Sequence, residues 1–470
     1  LSIIFVGAAL RFYGIGFGLP GRFHPDETPK LNALTGMISR GDLNPKYFLH
    51  PSLLLYCSLF FGKFYQLIGL IPWDLETLLR LGGRTTSAVA GTASIGILYL
   101  LATKLYGRTV GLISAAALAI FPLHVTCSRY MKEDALMLFF ILIVCLTVVK
   151  AVKENKPYLL LVAGFVAGLA TGSKYSGFLS TGIIAIAPWF VSKSWKPDLK
   201  FFIYGALSAL LVPVAFLCTT PYAYYTFESF QKGFNNEASH MQKGHTVAIT
   251  AYSQYWMYHF WRSLIPGVGP LSVFVGLIGA GVLLVRRRWE DLFVVGLVLL
   301  FYMPAEWVRA KPAPQPERYI LPCIPFFAIL FAQGVRFLSN YFNRTVGTLL
   351  AMICLALPLT RTVQLASEVT NDTRTKMAEW INENIPHGSK ILIDWIPYAP
   401  TFSKEAPYQV DMFPSGKLNV RMNAKDLKAS GYDYLILSSL VYNRFFNQPQ
   451  DNPVRRAVFR RVFERVPIVK

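Results

Sequence analysis

The sequence predicts a polytopic α-helical membrane protein with a small α/β domain at its C-terminal end. Three observations predict it. Apolar runs of about 17 to 25 residues, the length that a bilayer-spanning helix requires, recur through most of the chain. Basic residues gather in short clusters between those runs, as they do in cytoplasmic loops. Past about residue 361 the runs give way to short amphipathic and alternating segments. Composition agrees: of 470 residues, 53% are hydrophobic and 15% charged, and the mean hydropathy is +0.40. A net charge of +20 would suit a nucleic-acid binder, but its placement between apolar runs marks topology instead, so nucleic acid is not an expected partner. Cys57, Cys127, Cys145, Cys218, Cys323 and Cys354 are scattered singly, mostly in apolar runs, without the paired spacing of a zinc site or a disulfide framework. The chain opens on Leu1 rather than Met, inside a first apolar segment and with no cleavable signal pattern, which points to residues missing ahead of it.

Stretches of spanning character lie at about 1–19, 78–103, 110–127, 134–151, 158–173, 176–192, 201–218, 267–285, 291–304, 319–337 and 345–360, roughly eleven in all. The stretch 52–71 is interrupted by Gly62, Lys63 and Gln66 and reads as a helix lying in the interface. On that reading the clusters Lys104/Arg108, Lys150/Lys153/Lys156, Lys193/Lys196/Lys200, Arg286/Arg287/Arg288 and Arg336/Arg344 share one face, which should be cytoplasmic. The other face then receives the first loop at 20–75, the RYMKED loop at 129–134, the turn at Lys174, the long loop 219–265, the loop 305–318 and everything after 361. This divides the chain into a transmembrane part, 1–360, and a soluble extracytoplasmic α/β domain, 361–470. In the latter, DTRTKMAEWINENIP reads as a helix with Met377, Trp380 and Ile381 on one side. KILIDWI and YDYLILSS read as short buried strands, and LVYNRFF as a helix start. The basic, amphipathic end NPVRRAVFRRVFERVPIVK fits either a strand or a helix near lipid headgroups.

The segment from His24 to Tyr56 is polar, acidic and proline-marked in a chain that is otherwise apolar. Asp26 and Glu27 sit just beyond the first span. A carboxylate there can serve as general base toward an acceptor hydroxyl, and the alternative is a helix-capping pair. Glu133 and Asp134 repeat the theme at the edge of another span, where ionisable groups are costly and often functional; the alternative is a salt bridge to Arg129 or Lys132. Lys174, in LATGSKYSGFLSTG, occupies an outer turn where the positive-inside tendency would not put it. A cation fixed there can bind a phosphate, and Arg129, Lys132 and Arg318 are further candidates on the same face. Each, taken singly, could instead snorkel to lipid phosphates. His240 and His245, in NNEASHMQKGH, could join Glu237 in holding a divalent metal, with His24 or His50 contributing from the first loop. Their spacing matches no ligand motif, and ordinary hydrogen bonding is the expectation. Tyr222, Tyr224, Tyr225, Tyr252, Tyr255 and Trp256 form an aromatic group around the long loop, as interfacial belts do.

The first loop, PDET followed by a methionine, GD, a proline, YF and HPSLLLY, resembles the opening loop of the GT-C fold glycosyltransferases of the protein O-mannosyltransferase and lipid A aminoarabinose transferase group. The resemblance continues in order through RLGGRTTSAVAGTASIGILYLLATKLYG, the RYMKEDA loop, the GLATGSKYSG turn, TPYA at 220–223 and RYILPCIPFFAILFAQG at 318–334. It implies a GT-C-like membrane part, a sugar donor carried on a polyprenyl phosphate, and an inverting single displacement outside the cytoplasm. By the same resemblance Asp26 is the base, Glu27 stands beside it, and Asp134 orients the acceptor or the base. Lys174 and Arg318 lie near the donor phosphate. Apart from the resemblance, Arg129 and His50 are candidates for further phosphate contacts, and Glu133 and Tyr47 for supporting the acceptor. The aminoarabinose enzymes carry Glu-Lys-Pro where this chain has Leu49, His50 and Pro51, so their glutamate is absent and their lysine replaced. The implied partners are the lipid-linked donor, membrane lipid and a protein, lipid or glycan acceptor. No cofactor is required by this chemistry, a divalent metal being the one candidate. The competing readings are transfer of a preassembled oligosaccharide, a polytopic transporter, for which the expected internal repeat is not seen, and a non-catalytic scaffold.

Overall fold

The computed structural model describes residues 1–69, 71–192, 194, 196–243, 257–308, 316–402, 406–412, 429–447 and 453–469. Lys193, His245, Tyr252, Tyr255 and Trp256, singled out above, lie outside the described residues. Among the described residues six helices are long and apolar enough to cross a membrane: Leu75–Tyr106, Glu133–Glu154, Tyr175–Ser192, Leu199–Thr219, Glu317–Tyr341 and Arg344–Asn384. The pair Phe260–Val268 and Pro270–Arg286, bent by 103°, makes a seventh if it is one span. The bend falls where Pro266, Gly269 and Pro270 interrupt the helical ladder. Gly269 adopts φ +89 against Pro358, a conformation that a side chain would strain. Ser2–Phe12, Leu53–Ile68, Arg108–Ile120 and Leu159–Ser173 are shorter apolar helices. The expected run 110–127 is divided at Phe121 because Pro122 starts a separate short helix, Pro122–Cys127.

Burial sorts these helices. Glu317–Tyr341 is enclosed, with 89% of its apolar window buried, whereas Leu199–Thr219 and Arg344–Asn384 have only 22% buried and carry exposed Phe202, Leu210, Ile353 and Leu357 outward. Such an outward apolar face suits lipid rather than water. The main core forms where Leu75–Tyr106, Arg108–Ile120, Glu133–Glu154 and Ile324–Tyr341 meet. Leu159–Ser173 approaches Leu199–Thr219 through a stripe of glycines. A Cβ at Gly164 would lie 2.4 Å from the Ser208 carbonyl oxygen, and one at Gly168 2.4 Å from that of Val212. Small residues at this spacing let two helices pack backbone to backbone in an apolar medium.

The first loop is a packed layer and not an open strand. Leu31, Leu34 and Met37 of the Glu27–Arg40 helix bury against Leu54 and Leu55 of the Leu53–Ile68 helix and against Leu79 and Met131. The Phe227–Lys243 helix, inside what reads as the long loop 219–265, lies over this layer, with Gly233 against Phe48 and with Phe230 and Phe234 against Tyr175.

The Arg344–Thr370 helix, part of the last candidate span, runs unbroken through position 361. It is followed by the Thr373–Asn384 helix and a three-stranded parallel sheet, order β2-β1-β3, with β1 at Lys390–Ile393, β2 at Gln409–Met412 and β3 at Tyr434–Ile436. Strands β1 and β3 and the helix Ser439–Asn447 stand where KILIDWI, YDYLILSS and LVYNRFF were expected to form them. The C-terminal end is a helix, Pro453–Arg465. Strand β2, QVDM, alternates polar and apolar residues over only four positions and is exposed at three of them.

Candidate active site

Asp26 and Glu27 are adjacent in sequence and separated in role by the fold. Glu27 is 1% exposed. Its carboxylate accepts from Arg84 Nε and Nη2, both at 2.9 Å, and from the Met131 backbone N–H at 3.1 Å. Burial acts to raise the Glu27 pKa, but the Arg84 charge and hydrogen bonds outweigh it and bring it down to about 2. Arg84 in turn donates to the Ile15 and Phe17 carbonyls and lies over the Phe17 ring at 3.9 Å. Glu27, expected as a catalytic carboxylate, is thus a buried tie between the first loop, the Leu75–Tyr106 helix and the 129–134 loop.

Asp26 occupies the N-cap position of the next helix but makes no capping bond with its side chain. Its side chain is 37% exposed and faces Lys132, which it contacts, and Arg318, whose Nη1 is 3.4 Å from Oδ2. Burial acts to raise the Asp26 pKa; Lys132 and Arg318, with Lys30 behind them, hold it far below the usual carboxylate range. Lys30, 1% exposed, donates to the Asp26 carbonyl at 3.1 Å and bridges to Glu133 Oε1 at 3.0 Å. Lys174 Nζ donates to Asp134 Oδ1 at 2.7 Å. Glu133 and Asp134 therefore pair with Lys30 and Lys174, and not with Arg129 or Lys132 as a local salt bridge would have it. Each is buried and holds a cation at the floor of the site.

Lys30, Lys132, Lys174 and Arg318 stand against Asp26, Glu133 and Asp134: Lys132 and Arg318 share Asp26, Lys30 bonds Glu133 and the Asp26 carbonyl, and the Lys174–Asp134 pair lies beside them within reach of the Arg318 charge. Among these seven groups the cations outnumber the carboxylates by one. Burial pushes the carboxyl of Glu237, on the same cavity wall, up and brings His50 down to about 3. The cluster faces a cavity of about 720 Å³ lined by Asp26, Lys30, Tyr47, His50, Lys132, Glu237, His240 and Arg318. A second chamber of about 190 Å³, lined by Asp134, Lys174 and apolar side chains including Met137, Leu179, Phe301 and Pro304, shares His50, Glu237, Met241, Arg318 and Tyr319 with the first. The arrangement offers an anion-binding junction with a carboxylate on one side and an apolar groove on the other.

Arg129 is not part of it. Its Nη2 donates to the Tyr13 carbonyl at 2.6 Å, and it lines neither chamber, because the chain turns between Arg129 and Lys132 and sends the two side chains apart. Tyr47 lines the larger chamber. Among the described residues no group of three or more His, Cys, Asp or Glu side chains is placed to hold a metal ion; Glu237 and His240 share the cavity wall. Lys30 and Arg84 were missed in the sequence. Their signal was available: Lys30 lies one turn after Asp26 on a helix, and Arg84 is a basic residue inside a helix apolar enough to span, where an unpaired charge is too costly to leave.

Residues 76–225 match the sequence profile of the dolichyl-phosphate-mannose-protein mannosyltransferases. YkcB of Bacillus subtilis, a protein provisionally assigned as a mannosyltransferase, is 34% identical over 87 residues, which span 18% of this chain and 12% of YkcB. The structure superposes on ArnT from Cupriavidus metallidurans bound to undecaprenyl phosphate with TM-score 0.55 and 16% identity, covering 86% of each chain. It superposes on the Archaeoglobus fulgidus oligosaccharyltransferase, tethered to an acceptor peptide, with TM-score 0.55 and 13% identity, covering 84% of this chain and 62% of that one. The chain has the GT-C fold of the membrane glycosyltransferases.

Proposed function

We propose that this chain is a glycosyltransferase that moves a sugar from a polyprenyl-phosphate-linked donor to a hydroxyl acceptor on the extracytoplasmic face of the membrane. The observation that carries this reading is Asp26, a half-exposed carboxylate facing a cavity between cations that outnumber their carboxylate partners. The donor phosphate binds at the junction of the two chambers to Arg318 and Lys174, and its polyprenyl chain follows the apolar side of the smaller chamber. The undecaprenyl phosphate bound to the structurally similar ArnT supports a donor of this chemistry.

The acceptor hydroxyl attacks the anomeric carbon from the side opposite the phosphate. Its proton passes to Asp26, and the carbon–oxygen bond to the phosphate breaks with inversion. Phosphate is a sufficient leaving group when cations offset its growing charge, so no general acid is needed on that side. Asp26 is a weak base while Lys132 and Arg318 neutralise it. A bound phosphate competes for those cations, which returns basicity to Asp26 when the donor is in place. Asp134 and Glu133 act through Lys174 and Lys30, holding the ammonium groups in position. His50 is neutral and can donate one hydrogen bond toward the phosphate.

The test is transfer from radiolabelled polyprenyl-phosphate sugars to membrane and envelope extracts by wild type and by Asp26→Asn, with and without chelator. Label reaching an acceptor with wild type and not with Asp26→Asn supports the reading. Folded protein that consumes no lipid-linked monosaccharide overturns it and leaves transfer of a preassembled oligosaccharide, then transport, to be tested in the same way.

A further inference from the structure

The larger cavity has a second wall that plays no part in the chemistry described above. It comes from the α/β unit and is built from two segments: Trp395 to Pro400, which follow β1, and Leu437 to Leu440, which follow β3. Both leave the carboxyl ends of parallel strands, and that edge of a parallel sheet is where crossing loops open a crevice and ligands bind. One buried residue ties the two segments together. Asp394, 1% exposed, donates its backbone N–H to the Ile436 carbonyl, while its carboxylate accepts from the Trp395 N–H at 2.8 Å and the Ser438 N–H at 3.1 Å.

The chemistry of this wall is neutral and amphipathic. Trp395 is 47% exposed and stands edge-on to Tyr398, ring centroids 5.7 Å apart. Ser438 and Ser439 bring hydroxyls, and Leu437 and Leu440 apolar surface. The charged groups beside this wall, Asp372 and Arg374 at the start of the Thr373–Asn384 helix, are spent on each other, with Arg374 Nε 2.8 Å from Asp372 Oδ1. Arg374 also donates to the Phe23 carbonyl at 2.6 Å and covers the Phe23 ring at 4.0 Å. That fastens the wall three residues from Asp26.

We propose that the carboxyl edge of this sheet is the acceptor half of the site, and that it takes a neutral polyhydroxylated acceptor, a glycan, whose sugar face stacks on Trp395. This rests on the transferase reading. An exposed aromatic face beside hydroxyls matches a sugar ring, which has one apolar C–H face and a hydroxyl rim. An anionic acceptor would find its cations on the opposite wall, where the donor phosphate belongs.

The experiment uses the full chain in detergent and neutral trisaccharides of glucose, galactose and mannose as probes, read by saturation-transfer NMR and tryptophan fluorescence. Wild type is expected to bind at least one of them. Trp395→Ala is expected to weaken that binding roughly tenfold, and Trp395→Phe, which keeps a ring face and guards against misfolding, is expected to retain most of it. Absence of trisaccharide binding to wild type, binding equal in wild type and both variants, or a seryl peptide perturbing Trp395 where sugars do not, would each overturn the proposal. Consumption of labelled donor by wild type is measured in parallel. Donor consumed with no sugar bound defeats this inference alone, whereas sugar bound with no donor consumed defeats the transferase reading and leaves the glycan surface standing.

Discussion

Arg318 reaches Asp26 from 292 positions away in the chain, Nη1 to Oδ2 at 3.4 Å. The pair joins the first loop to the start of the most enclosed helix, and Lys132 meets the same carboxylate from a third segment. A carboxylate held this way stays ionised, and its strength as a base depends on what else its two cations are bound to.

Asp26→Asn should lower transfer by roughly 10² to 10⁴, the range for losing a positioned general base. Donor binding should persist, because the cations remain and lose a competitor. Asp26→Glu should recover part of the rate. Steady-state transfer with a titrated donor separates the two effects, and a variant with unchanged kcat would remove Asp26 from the chemistry.

Lys174→Ala and Arg318→Ala should raise the donor KM by roughly tenfold to a hundredfold each, as expected for a lost charge-assisted contact to phosphate. Arg129→Ala should leave that KM unchanged, since Arg129 lines neither chamber. Equal effects at all three positions would show a general loss of positive charge and no defined phosphate site.

The Glu27–Arg84 tie should matter for stability. The folded Glu27 pKa of about 2 lies below its ordinary 4.5. The pair's contribution is then fully present above about pH 4.5 and drains away as pH falls toward 2. Glu27→Gln should cost about 3 to 5 kcal/mol at neutral pH by leaving Arg84 buried and unpaired, and should flatten that acid limb. Unfolding in detergent, followed against pH, measures both.

Burial, together with Arg318 and Lys30, brings the Lys132 ammonium down to about 8. It is charged below that pH and neutral above it. The donor kcat/KM should therefore fall as pH rises through about 8, because the phosphate loses a cation. Lys132→Arg keeps its charge and should carry the limb to higher pH. A limb that does not move between the two proteins would assign it to another group.

Arg374→Ala should loosen the α/β unit from the first loop. Limited proteolysis should cut faster between 371 and 402, and transfer should fall while donor binding holds. Unchanged cleavage would show that the contact to Phe23 carries little of the docking.

Apolar runs marked the chain as helical and membrane-spanning, because lipid selects side chains locally, one helix face at a time; of the roughly eleven stretches read as spans, six helices among the described residues, or seven with the bent pair, are long and apolar enough to cross. Asp26, Lys174 and Arg318 were legible as polar outliers in apolar surroundings. The bent 260–286 pair was half legible, in its prolines and glycines. Strand β2 was not read: its alternation, QVDM, runs for only four residues, too short to stand out, and as an exposed edge strand it pairs only once β1 is there to receive it.

What the sequence determined by itself is the medium each segment lives in and which residues are out of place there. What only the tertiary structure decided is who answers whom. Glu27 is taken by Arg84 and Glu133 by Lys30, Asp134 holds Lys174, and Asp26 is left facing the cavity. Neighbours in sequence carry no information on this, because charges brought out of water are paired by distance in space, and burial sets the cost of leaving any one of them alone.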